Sequence, residues 1–240
     1  MAYELGRLFK PDPNDRKFPM RAQLPADVVE RTIVYPTGPV LDQGAIACPF
    51  ADTTHPFCKE RGFCVGAAWR QLLTSAPVVV KGGPGLLDVY HAAQDADEWE
   101  GGPEAYAGSS VRAGAKVLQR LGYIGAYLWA DGARTVRDWM CAGKGGVVVG
   151  SLWCDGMNEP TKETGYTVKL TGHVRGGHAY YLPVYSKPRG AYRILNSWGR
   201  TWGENGRAWL LGEDLERLIG WDGECCTPHE IKLNAGNGNR

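Results

Sequence analysis

Four residues of this sequence, in the order Gln43, Cys64, His178 and Asn196, carry side chains that together could perform acyl transfer. Cys64, in GFCVGAAWRQLL, stands directly before a run in which Val65, Ala68, Trp69, Leu72 and Leu73 share one helical face. A thiol at a helix N-terminus feels the positive end of the macrodipole, which favours the nucleophilic thiolate. The bland alternative is a small buried hydrophobe. A thiol nucleophile needs a proton acceptor, and the chain has five histidines. His178, in RGGHAYYLPVY, opens a predicted strand behind two glycines, where an imidazole could face a cleft; His173 lies upstream in a loop. A base must be held in one orientation by a third polar group. Asn196, in ILNSWGRTWGENGRAW, ends a predicted strand, with Trp198 placed to shield the contact from water. Gln43, in VLDQGA, could donate to a developing oxyanion beside the Cys64 N–H. Taken singly, each reads equally well as a turn, core or surface residue.

The elements that must position these side chains change character along the chain. Residues 1–42 form an extended, proline-rich arm with no helical period. Helices are predicted after Cys64, over 85–97, from the caps Ser109 and Ser110 to a Gly122 stop, and over 135–142. Strand signals follow at 146–153, 178–185, 191–198 and 206–211, then a helix at 213–220. Helices first and strands second imply an α+β chain of two lobes. The helical lobe is set at 43–135 and the β-rich lobe at 136–230. The Gly/Asn-rich end, 231–240, reads as a disordered tail.

With these motifs in place, the sequence resembles the papain-like cysteine peptidases. DQG (42–44), the Cys-plus-helix segment, GGHA (176–179) and NSWGRTWGENG (196–206) carry the resemblance, the last being the most specific. PDPNDRKF and GSSVRAGAKVLQRLGYIGAYLWA are similar to a propeptide-less bacterial and phage branch, so the resemblance spans about residues 10–228. It implies a papain-like two-lobed fold, a helical lobe and an antiparallel, barrel-like β lobe with the active site in the cleft between them. It implies Cys64 as nucleophile, His178 as base, Asn196 as its orienting partner and Gln43 as oxyanion donor. Gly108 and Ser109 resemble the strip that holds extended peptides at the cleft edge, and Gly177 and Trp198 fall beside the base. His178 and Asn196 follow Cys64 by 114 and 132 residues, against ~130–150 for papain-type spacing.

Gln43 and Cys64 are 21 residues apart, wider than the family pattern, so residues 45–62 read as an inserted loop. The loop holds a rival nucleophile, Cys48, but Pro49 follows it directly, whereas Cys64 leads a convincing helix. Cys48, His55 and Cys58 could instead be three ligands of a structural zinc, with a fourth from Cys225, Cys226 or His229. A Cys48–Cys58 disulfide and free thiols remain alternatives.

Lys plus Arg total 27 and Asp plus Glu 26, a net charge of +1 that argues against a binder working by phosphate neutralisation. No apolar run approaches a membrane span, and the N-terminus lacks a signal-peptide pattern, which predicts a cytoplasmic or virion-associated protein. Seven cysteines cannot all pair, and 33 glycines promise many turns and close backbone approaches. The expected activity is thiol-dependent endopeptidase cleavage of peptide or isopeptide bonds, needing no cofactor. Its partners are protein or peptide substrates, with phage structural proteins among them. A catalytically silent binding module of a phage particle and an acyl transferase stay open. The arm lacks the pattern of a helical inhibitory prodomain, so the resemblance implies an enzyme made active or restrained otherwise.

Overall fold

The computed structural model describes residues 5–47, 62–100 and 106–232. The loop cysteines Cys48 and Cys58, with His55, fall outside them, as does most of the predicted tail. Five helices occur among the described residues: α1 Cys64–Leu73, α2 Leu86–Gln94, α3 Val111–Arg120, α4 Ala133–Cys141 and α5 Gly212–Gly220. None of them is long and apolar enough to cross a membrane. Seven strands form one antiparallel sheet: β1 Ile33–Val34, β2 Tyr127–Trp129, β3 Val147–Cys154, β4 Val174–Ser186, β5 Ala191–Leu195, β6 Arg207–Leu211 and β7 Glu224–Pro228. The order is β2-β7-β3-β4-β5-β6, with β1 added at the end of β4. The sheet stays open: β2 and β6 are its two edges, and no barrel closes.

Both faces of this sheet are covered. Val148, Ala179, Tyr181, Leu195 and Cys226 pack against α1 and α3 through Val65, Trp69, Leu72, Val111 and Leu118. The alternate residues, Val147, Val149, Tyr180, Leu182 and Ile194, pack against Val136, Trp139 and Met140 of α4 and Leu215 and Leu218 of α5. Two buried faces explain why these strands read as unbroken apolar runs instead of alternating ones. Adjacent Cys225 and Cys226 point into opposite cores, so β7 does not offer them jointly as metal ligands. Among the described residues no three His, Cys, Asp or Glu side chains group as a metal site, and all five described cysteines are free thiols.

Helix ends follow local chemistry. Ser110 accepts the Ala113 N–H at 3.0 Å, and Gly122 ends α3 with φ +76°. The Trp69 indole donates to Val111 O at 3.0 Å, which ties the start of α3 to α1. The arm is pinned across this helix: Arg112, buried on α3, pairs with Asp15 and donates to Lys10 O at 2.9 Å. Ser110→Ala removes the α3 cap and should cost about 1 kcal/mol. A calorimetric melt should then fall by roughly 2–4 °C, whereas an unchanged melt would show that tertiary contacts alone hold the end of α3.

Candidate active site

Cys64 is the first residue of α1, aimed from the helical layer at the centre of the sheet, and its thiol is fully buried. The backbone N–H groups of Ala179, Gly6 and Val65 lie close enough to the sulfur to favour its charged form. The thiol thus meets β4 at Ala179, the residue after His178, whose own ring packs among Trp153, Tyr180 and Trp198. Burial pushes the thiol up to about 11, and those N–H groups and Arg7 offset this only in part. The thiolate expected from the helix N-terminus is therefore not the resting form: desolvation outweighs the dipole.

His178 is also fully buried. Its Nε2 lies 2.8 Å from Asn196 Oδ1. The same Oδ1 accepts the Ser197 N–H at 2.8 Å, and a backbone N–H can only donate, so the atom facing the imidazole is the amide oxygen. Nε2 must then carry the proton, which leaves Nδ1 as the basic lone pair of the neutral ring. Nδ1 is buried and has no hydrogen-bond partner among the described residues. Trp198 stacks on the imidazole at 4.5 Å between ring centroids and Trp153 meets it edge-on at 4.7 Å. Burial lowers His178 to about 4, against the raising effect of the Asn196 bond.

Gln43 sits in a short turn opened by Asp42, which accepts the Gly44 N–H at 3.0 Å. Its backbone N–H donates to Ser197 O at 2.8 Å, and its Oε1 accepts from Ser197 Oγ at 3.0 Å. The loop after Asn196 is drawn onto this turn at Gly199, whose φ is +72° and where a Cβ would lie 2.5 Å from Asp42 Oδ2. The 21-residue gap before Cys64 thus leaves Gln43 tied to the segment that carries Asn196.

Residues 6–8 of the arm run between Ser109 and Gly177, and Gly6 packs against Gly62 and Gly108. Ser109 N–H donates to Gly6 O at 2.9 Å, and Gly6 and Arg7 N–H both donate to Gly177 O at 3.1 and 2.9 Å. Ser109, expected from the sequence to hold extended peptides, is hydrogen-bonded here to Gly6 and Leu8 of the arm.

One positioning residue escaped the sequence reading. Gln71, on α1, donates from Nε2 to Asn196 O at 3.0 Å while buried. It lies two helical turns from Cys64, so that spacing was the available signal.

No family model matches the sequence, and no curated protein matches it. Among solved structures, the chain is similar to xylellain, a cysteine protease from Xylella fastidiosa, at 17% identity and TM-score 0.62, over 95% of this chain and 96% of that one. It is also similar to procathepsin L 3 of Tenebrio molitor larval midgut, at 12% identity and TM-score 0.55, over 86% and 71%. The proform of the ragweed pollen cysteine protease Amb a 11 matches at 13% identity and TM-score 0.54, over 89% and 70%. The chain has the papain-like fold that these cysteine proteases share.

Trp198→Ala should raise the His178 pKa from about 4 towards its ordinary 6.5, because the change lets water reach the imidazolium. An NMR titration of the ring protons reads this directly, and an unmoved midpoint would mean that Trp198 is not what keeps the ring dry.

Proposed function

We propose that this chain is a thiol-dependent endopeptidase, with Cys64 as nucleophile and His178 as general base. The observation that carries the reading is the His178 tautomer. Asn196 holds Nε2–H, so Nδ1 is the basic nitrogen, and it has no hydrogen-bond partner among the described residues. When substrate is seated, the Sγ proton passes to Nδ1 and sulfur attacks the scissile carbonyl carbon, whose π electrons move to oxygen. The Cys64 N–H and the donor end of the Gln43 amide stabilise that oxyanion. As the carbonyl re-forms, the C–N bond breaks and the imidazolium returns its proton to the leaving amine. Water, deprotonated by Nδ1, then attacks the thioester, and the thiolate leaves to regain its proton. These roles use no metal or cofactor, and the substrates are proteins or peptides that can lie extended between Ser109 and Gly177.

Cys64→Ala should abolish cleavage of a casein or proteome digest, whereas Cys48→Ala should retain it. The reverse pattern would transfer the nucleophile to the inserted loop. Asn196→Ala should lower kcat at least tenfold with a smaller effect on KM, since it frees the ring to rotate and to change tautomer.

A further inference from the structure

Arginines gather on a part of the sheet that the catalytic roles leave unused. In the β5–β6 ladder Arg193 pairs with Trp209 and Leu195 with Arg207, so Arg193, Trp209 and Arg207 share one face. Tyr192, Ile194, Ala208 and Leu210 fill the core on the other. The guanidiniums of Arg193 and Arg189 both lie over the Trp209 ring, their Cζ atoms 4.6 and 4.9 Å from its centroid. Arg207 is held at both ends of its guanidinium: Nη2 donates to Thr37 Oγ1 at 3.1 Å and Nη1 to Asn205 O at 3.0 Å. These contacts fix the cations on the surface instead of letting them swing apart into solvent.

Counter-charge is short there. Arg193 pairs with the half-exposed Glu204, and neither Arg189, Arg200 nor Arg207 has an ion-pair partner among the described residues. Burial, and then the nearby charges of Arg193 and Arg200, lower the Arg207 pKa. The excess is local, because the whole chain carries a net charge of only +1. A fixed cluster of like charges attracts an anion. The Glu204 contact shows one that fits, a planar carboxylate, which a guanidinium fork can take in two parallel bonds. The near-neutral chain favours an acidic protein segment over nucleic acid, which needs many phosphates neutralised. The patch also has a place in the molecule: β5 runs straight into Asn196, and Arg200 stands two residues beyond Trp198. It therefore begins at the loop that roofs His178 and leads away from it.

We propose that the arginines around Trp209 form an exosite, which docks an acidic segment of a protein substrate while another segment of it is cut at Cys64. The substrate role rests on the peptidase reading, and the test separates the two. Binding comes first, by fluorescence anisotropy on the full chain carrying Cys64→Ala, so that no cleavage is needed. Octaglutamate should bind at least tenfold more tightly than octaglutamine. Arg189→Gln with Arg200→Gln, two exposed positions whose replacement spares the core, should remove that advantage. In the chain with Cys64 intact, a cleavable peptide with eight added glutamates should show a KM at least tenfold below its glutamine-tailed match. Its kcat should stay within twofold, since docking raises the effective concentration of the cleaved segment. The double variant should abolish this gain and leave cleavage of the untailed peptide unchanged. Equal binding of the two octapeptides overturns the exosite, as does an octaglutamate advantage that survives the double variant. Tighter binding of octathymidylate than of octaglutamate overturns it in favour of a nucleic-acid surface. Equal KM values for the two tails, when both peptides are cut, overturn the substrate role. If octaglutamate is preferred but no peptide is cut, the peptidase reading fails alone and the acidic-docking surface stands.

Discussion

A hydrogen bond of 2.8 Å between His178 and Asn196, roofed by Trp198, fixes the chemistry available to this fold. It can exist only because three chain segments converge on it. Gln71 from α1 holds the Asn196 carbonyl, Ser197 holds the Asn196 side-chain oxygen, and the turn at Gln43 holds Ser197. Each bond contributes about 0.5–1.5 kcal/mol net. Their joint effect on geometry matters more, since one oxygen is aimed at one imidazole nitrogen. The cost is visible in the same place. His178 Nδ1, Asn196 Nδ2 and Gln71 Oε1 are all buried with no hydrogen-bond partner among the described residues. Unsatisfied buried polar atoms cost about 1–3 kcal/mol each, and their clustering at one point marks a site where stability yields to function.

Cys64 illustrates a competition between two electrostatic effects. The end of a helix dipole favours a charge by about 0.3–1 kcal/mol, less than one pKa unit. Burial under the arm and against β4 moves the thiol the other way, up to about 11, despite three N–H groups close to it. His178 responds to the same dryness by falling to about 4, so thiol and imidazole both rest neutral. Displacing the arm would return water to the thiol and move its value back down towards the ordinary one. Cover and charge state are thus coupled through one segment of chain.

Much of the frame was legible in the residues. The Val65, Ala68 and Leu72 face predicted α1, Ser110 and Gly122 marked the ends of α3, and the β-branched and aromatic runs located β3 to β6. The strands β1, β2 and β7 went unseen. β1 has only two residues, β2 only three, and β7 reads ECCTP, with no alternation because its residues are buried on both faces. Gln71 looked like an ordinary polar position on an amphipathic helix, set apart only by its place two turns after Cys64.

The sequence by itself determined which side chains could do chemistry, because a thiol, an imidazole and two amides in recognisable local motifs keep their reactivity wherever they sit. It also determined most helices and strands, which arise from local periodicity. Tertiary structure decided protonation and access. Burial depends on every neighbour, and the neighbours come from far along the chain. Arg7 and Glu224 stand 217 residues apart yet meet at 3.2 Å over a bare Gly150. No window of sequence contains that pair, and only the folding of the arm across the sheet brings it together.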